Sequence, residues 1–150
     1  MKSEPDEFSI DDLVRSPRRE TAWFGVRNYQ ARNFMRDEMK VGDRAFFYHS
    51  SCPEPGIAGI VEVSAPARPD ATQFDPGSPY HDPKSTRDNP RWVGVGVRLR
   101  AKTRLVPLAE LRAQPALADM VILRRGNRLS ITPVTAAEWK VVERLARANS

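Results

Sequence analysis

An alternating pattern from Trp92 to Leu105 constrains the fold of this chain more than any other feature of its sequence. Odd positions carry mostly apolar side chains, and the even positions from Arg98 onward are all cationic. Because successive side chains of a strand point to opposite faces, the pattern predicts a long strand with one face on a core and the other in solvent. Gly94 and Gly96 fall on the outer side, where they predict a bend or a close approach of another backbone.

The outer face of this predicted strand is a row of four cations: Arg98, Arg100, Lys102 and Arg104. Such a row is usually a solvated strand face, or an edge protected against aggregation. It could instead bind a polyanion backbone, which would add salt-dependent affinity without sequence recognition. The net charge of +5 agrees with a polyanionic partner but does not require one. Both interpretations stay open at this point.

Helices and further strands are predicted on both sides of this strand. Capping signals at Ser9, Asn28 and Thr135 predict three helices, and a short fourth helix is predicted over 108–113. Strands are predicted over 44–49, 57–63, 121–123 and 128–131, with an irregular proline-rich stretch over 64–90. This order indicates one α+β domain over 1–150 with a small, mostly antiparallel sheet or barrel.

The composition argues against several classes of protein. No apolar run approaches the roughly 20 residues that span a membrane, and the acidic N-terminus does not resemble a secretory signal. The single cysteine, Cys52, cannot form an internal disulfide, and with His49 and His81 it falls short of a structural zinc site. We therefore expect a cytoplasmic protein without membrane, metal or cofactor. The sequence leaves the oligomeric state open, with a monomer favoured.

The segment from Trp23 to Asn33 concentrates aromatic, amide and guanidinium side chains. Aromatic faces stack on unpaired bases, amides pair with base edges, and guanidinium groups bond phosphates. An equally good interpretation is that Trp23 and Phe24 fill the core while Asn28 only caps a helix. These side chains alone do not decide between the two interpretations.

Catalysis is the other function to consider, and its best candidate is the predicted strand end at Tyr48, His49 and Ser50. His49 has the chemistry of a general base. Adjacent strand residues point to opposite faces, however, so His49 and Ser50 are poorly placed to act as a base and a nucleophile. No GxSxG, HExxH or paired-carboxylate pattern accompanies them. The sequence therefore predicts a binding protein with no catalytic residue.

Several motifs, which follow one another along nearly the whole chain, resemble motifs of the EVE domain family. The chain looks like a bacterial member of that family. The segment from Trp23 to Asn33 is the most specific of them. The others are KSEP over 2–5, FYHS over 47–50, PGIAG over 55–59, YHDPKS over 80–85 and RLSITPV over 128–134.

The resemblance implies a PUA-like fold, a small twisted β-barrel flanked by helices and related to YTH and ASCH domains. It also implies a nucleic-acid partner, DNA or RNA, and recognition of a modified base in an aromatic-lined pocket without catalysis. The related families supply two alternatives. One is an RNA-processing enzyme or nuclease of the ASCH kind, and the other is a PUA-like RNA-binding module that is indifferent to base marks.

The resemblance also implies roles for individual residues. Trp23 is expected to stack on the base, Asn28 and Ser50 to bind the base edge, and Tyr48 and His49 to line the pocket. The residues expected at the rim or on phosphate are Lys2, Ser3, Arg27, Tyr29 and Ser130. Family members usually carry an aromatic, apolar strand just before the KSEP motif. Here only Met1 precedes it, so we expect a shortened first strand or a start that lies upstream.

Overall fold

A computed structural model describes residues 1–147, and this part of the chain contains five strands and four helices. The strands are β1 (Lys2–Ser3), β2 (Glu20–Ala22), β3 (Arg44–His49), β4 (Gly56–Pro69) and β5 (Val93–Pro107). The helices are α1 (Ile10–Arg15), α2 (Tyr29–Asp37), α3 (Leu108–Arg112) and α4 (Ala136–Arg147). The predicted α+β class is confirmed, and so is the predicted long strand, which is β5.

The strands form one mixed sheet in the order β1-β3-β4-β5-β2, in which only the β1–β3 pair is parallel. The predicted barrel is wrong, because the sheet described over 1–147 is not closed. Closure needs the two outer strands to pair with each other, but β1 and β2 are only two and three residues long. The free side of β1 is used differently, since the Lys2 amide donates to the carbonyl oxygen of Ser130 at 2.7 Å.

Gly94 lets a second segment pass very close to β5. A Cβ atom at this position would lie 2.0 Å from the carbonyl oxygen of Trp23, so no larger residue fits there without moving the backbone. The Trp23 amide donates to the carbonyl oxygen of Val95 at 2.7 Å. The close approach predicted for this glycine pair is confirmed at Gly94, and it fixes Trp23 beside the sheet edge.

The sheet separates two hydrophobic cores, and β3 contributes to both by alternation. Phe47 is fully buried in one core with Leu13 and Met35. Phe46 and Tyr48 are buried in the other core, which α4 covers. Burying a phenylalanine of this kind stabilises the fold by about 1.5–3 kcal/mol. The helix ends follow the predicted caps, with hydroxyl or amide side chains at Ser9, Asn28 and Thr135 accepting backbone amides.

Three other local predictions differ from the structure. β4 continues to Pro69, so the irregular stretch begins later than position 64. The two short strands predicted near the C-terminal end are also wrong. Residues 121–123 form a turn of 3-10 helix that buries Leu123 in the second core, and 128–131 form no strand. A run of three apolar residues has no distinctive period, so packing decides its conformation.

Candidate functional site

A cavity of about 440 Å³ is lined by residues of both outer strands of the sheet, β1 and β2, and we call it the aromatic pocket. Five of the ten predicted site residues line it: Lys2, Ser3, Trp23, Ser50 and Ser130. Three aromatic residues that were not among the predicted site residues also line it: Phe8, Phe24 and Tyr80. Its charged lining residues, besides Lys2, are Glu4, Glu7 and Arg128.

Trp23 and its neighbour Phe24 contribute unequally to the accessible wall of this pocket. Trp23 is only 6% exposed, and its ring meets Phe47 edge to face with centroids 5.5 Å apart. Phe24 is 39% exposed and contacts Tyr80 in a similar edge geometry at 5.9 Å. Trp23 therefore belongs to the core as well as to the pocket, and Phe24 is the most exposed aromatic side chain of the pocket lining.

Tyr80 reaches the pocket from the long connection between β4 and β5. Its hydroxyl donates a hydrogen bond to the carboxylate of Glu7. Burial and this bond to Glu7 both raise the pKa of Tyr80, so the hydroxyl keeps its proton. Gly25 makes room for the ring, because a Cβ atom there would lie 2.8 Å from Tyr80 and its φ of +81° disfavours other residues.

Asp70 joins this connection to the pocket wall. Its carboxylate accepts from the Gly25 amide and the Thr72 amide, both at 2.8 Å, and from the Arg27 guanidinium at 3.2 Å. Burial acts to raise the pKa of Asp70, but hydrogen bonds from Thr72, Gly25 and Arg27 outweigh it and hold the pKa below its usual value. Asp70 is therefore an anion that organises the backbone behind the pocket.

Arg27, predicted at the rim or on phosphate, lies behind the aromatic pocket. Its guanidinium donates to the carbonyl oxygen of Tyr80 at 2.7 Å and lies 5.6 Å and 5.3 Å from the rings of Tyr80 and Trp92. These bonds occupy most of its donors. Arg27 thus holds Tyr80 in place, and its predicted phosphate contact stays a prediction.

The proline-rich connection is ordered around the buried side chain of Gln73. This amide donates to the carbonyl oxygens of Asp70 and Trp92 and accepts from the Ser85 hydroxyl at 2.5 Å. The indole nitrogen of Trp92 in turn donates to Asp82 at 2.8 Å. The connection therefore presents Tyr80 from a fixed base, although it carries little regular secondary structure.

Four other predicted site residues lie outside the lining of the aromatic pocket. Asn28 caps α2, and Tyr29 is 51% exposed and stacks on Trp92 at 4.8 Å. Tyr48 lines a different cavity of about 270 Å³ among residues of the second core. His49 accepts the Ile10 amide at 3.1 Å, and burial lowers its pKa. Their predicted contacts with a base stay predictions.

The cationic row on β5 is matched by acidic partners. Glu62 lies 2.9 Å from Arg98 and 3.6 Å from Arg100. The remaining two pairs are Lys102–Asp11 at 2.6 Å and Arg104–Glu110 at 2.9 Å. Nearby carboxylates cancel much of the local field, so the pairing favours the interpretation of a solvated strand face.

The fold and the pocket define a small α+β domain with an aromatic-lined cavity to which both outer strands of the sheet contribute. The chain belongs to the EVE domain family, whose model matches residues 1–145. Thymocyte nuclear protein 1 of Homo sapiens is 47% identical over 160 residues, which cover 95% of this chain and 70% of that protein. The protein of the same name from Danio rerio is also 47% identical, with 95% and 68% covered.

Solved structures have the same fold. A crystal structure from Pseudomonas putida is 50% identical and covers 97% of each chain with a TM-score of 0.92. The human THYN1 protein, crystallised in complex with DNA containing 5-methylcytosine, is 45% identical with a TM-score of 0.93, covering 100% of this chain and 97% of that one. The family predicted from the motifs is therefore confirmed, and the fold matches that of its EVE relatives.

Proposed function

We propose that this chain binds nucleic acid and recognises a modified base, with 5-methylcytosine in DNA as the first candidate, in the aromatic pocket. It does so without catalysing a reaction. One observation carries the proposal: Phe24 and Tyr80 form an open aromatic wall beside hydroxyl and amide groups, in a cavity of about 440 Å³. Such a cavity accepts a planar ligand and offers hydrogen bonds to its edge.

The chemistry of the lining suits a base turned out of the helix. Stacking on an aromatic side chain contributes about 1–3 kcal/mol per base. A methyl group on the base adds apolar contact area against the rings of Phe24 and Tyr80. The hydroxyl groups of Ser3 and Ser50 and the carboxylate of Glu7 can bond polar groups on the base edge, and a carboxylate accepts from the exocyclic amino group of cytosine.

A related protein supports the choice of ligand. The human THYN1 protein, whose structure was solved with DNA containing 5-methylcytosine, aligns with the whole of this chain at 45% identity. In this chain His49 accepts a backbone amide at the start of α1, which argues against its use as a general base. These observations favour binding over the nuclease alternative.

The test compares binding of fluorescein-labelled duplexes that differ only at one cytosine, methylated or unmethylated, by fluorescence anisotropy. Tighter binding of the methylated duplex is expected. Phe24→Ala should weaken it by roughly five- to 150-fold, because about 1–3 kcal/mol of stacking is lost. Phe24 is partly exposed, so this variant should stay folded. Val41→Ala, at a side chain 59% exposed and outside the pocket lining, is the matched control and should bind like the wild type.

Other outcomes would support the alternatives. Equal affinity for both duplexes would overturn recognition of the methyl group, and no binding to any DNA or RNA oligonucleotide would overturn the proposal as a whole. Binding of RNA that depends steeply on salt and not on base marks would favour the PUA-like RNA-binding module. Cleavage of labelled RNA in the presence of metal ions would favour the enzyme.

A further inference from the structure

We propose that the segment Arg124–Arg128, which we call the arginine loop, binds the phosphate backbone of the strand whose base enters the aromatic pocket. This inference rests on the proposed function and adds to it the surface that holds the strand. It also identifies the chemistry recognised there, which is the phosphate group rather than the base.

The arginine loop carries exposed positive charge without acidic partners. Arg124, Arg125 and Arg128 are all exposed, and within residues 1–147 none of them forms an ion pair. The cationic row of β5 is the opposite case, because Glu62 and other carboxylates neutralise it. Guanidinium groups form paired hydrogen bonds with phosphate oxygens, so an unneutralised group of three is suited to a nucleic-acid backbone.

The loop lies at the edge of the aromatic pocket. Asn127 and Arg128 are among the residues that line the pocket. Arg124, Arg125 and Asn127 also border a second depression, of about 420 Å³. Residues of the loop therefore border two concave surfaces, and a strand with one base in the aromatic pocket can pass along the loop with its phosphates.

Hydrogen bonds fix the loop in this position. The Asn127 side chain donates to the carbonyl oxygen of Val121 and accepts from the Leu129 amide, both at 3.0 Å. Lys2 donates to the carbonyl oxygen of Asn127 at 3.3 Å, which ties the loop to β1. Gly126 makes the turn with a φ of +77°. A loop held in this way loses little conformational entropy when it binds.

The charges around the pocket also favour one path for the nucleic-acid backbone. Glu4 and Glu7 line the same pocket as Arg128. Phosphates are repelled by these carboxylates and attracted by the arginine loop. The backbone is therefore expected to pass over Arg124 and Arg125, while Glu7 is left to face the neutral base.

The test measures the dissociation constant of the methylated duplex as a function of salt concentration. In duplex DNA each phosphate contact contributes about 0.9 to the slope of log K against log salt. The double variant Arg124→Ala/Arg125→Ala should lower the slope by roughly one to two and weaken binding of both duplexes by the same factor. Its preference for methylated DNA should not change, because neither side chain lines the aromatic pocket.

Two further variants make the result specific. Arg124→Lys/Arg125→Lys keeps the charge and should recover most of the salt slope. Arg98→Ala removes another exposed arginine, one that pairs with Glu62, and it should leave the slope unchanged. Circular dichroism spectra and unfolding curves establish that each variant is folded.

The outcomes separate this inference from the proposed function. If the wild type prefers the methylated duplex and the double alanine variant keeps its slope and affinity, the inference is overturned and the proposed function stands. A changed preference at an unchanged slope would also overturn it, since the loop would then contact the base. If the wild type binds neither duplex, the proposed function and the inference fail together.

Discussion

Arg27 and Asp70 form an ion pair at 3.2 Å in which the aspartate side chain is 1% exposed and the arginine side chain 22% exposed. The same guanidinium bonds the carbonyl oxygen of Tyr80 at 2.7 Å. One buried carboxylate therefore supports both the backbone at Gly25 and the position of Tyr80 beside Phe24. The geometry of the aromatic pocket depends on this charge pair, although neither charged group lines the pocket.

Replacing Asp70 with asparagine should lower the free energy of unfolding by about 2–3 kcal/mol. The change leaves Arg27 without its counter-ion and puts an amide group against the Gly25 and Thr72 donors. Urea denaturation measures the effect. Asp37→Asn removes a carboxylate from the exposed Arg36–Asp37 pair, where solvent screens the charges, and should change the value much less. Equal losses in the two variants would contradict a special role for Asp70.

Replacing Gly25 with alanine should weaken binding to the methylated duplex. The left-handed φ of +81° costs roughly 1–2 kcal/mol with a Cβ atom, and the added methyl group would also displace the Tyr80 ring. Gly42→Ala is the control, because it has a φ of +98° and nothing within 4 Å of the added Cβ atom. We expect both variants to lose stability and only Gly25→Ala to lose affinity. Similar affinities for the two variants would show that the position of Tyr80 is not needed for binding.

Members of the cationic row should differ in their contribution to stability. Arg104 makes two bonds of 2.9 Å to Glu110 and a third to the carbonyl oxygen of Leu145, which joins β5 to α4. Arg104→Ala should therefore lower the free energy of unfolding by about 1–3 kcal/mol. Arg100 forms a single ion pair, with Glu62 at 3.6 Å, so Arg100→Ala should change the free energy of unfolding by no more than about 0.5 kcal/mol. Denaturation of both variants by urea tests the difference.

The parts of the fold that could be predicted from the sequence are those with a local signal. The alternation in β5 and the capping residues Ser9, Asn28 and Thr135 act on neighbouring residues, and the structure confirms them. The order and closure of the sheet depend on distant contacts instead. The hydrogen bond from the Lys2 amide to Ser130 joins residues that are far apart in the sequence, and no local pattern in either segment predicts it.

The pocket shows the same limit on prediction. Motifs identified Trp23 and Ser50, which line the pocket, but they could not tell which of the adjacent residues Trp23 and Phe24 would be buried. Tyr80 belongs to one of the recognised motifs, and its place beside Phe24 depends on the bond between Arg27 and Asp70. Such a pair, 43 residues apart, has no sequence signature.

The bond from the Ile10 amide to His49 should make stability depend on pH below about pH 6.5, the ordinary pKa of histidine. Burial lowers the pKa of His49, and the nearby charge of Asp11 opposes this only in part. When the pKa of a group is lower in the folded state than in the unfolded state, the group stabilises the fold fully at a pH above its unfolded-state pKa, which is about 6.5 for histidine. This stabilisation is lost as the pH falls through the folded-state pKa. The free energy of unfolding of the wild type should therefore fall as the pH decreases in this range.

His49→Gln offers a side-chain oxygen that can accept a hydrogen bond from the Ile10 amide and does not titrate, so its curve of stability against pH should be flatter. His81→Gln removes the other histidine, which is exposed, and should behave as the wild type does. Parallel curves for the wild type and His49→Gln would show that protonation of His49 does not oppose folding.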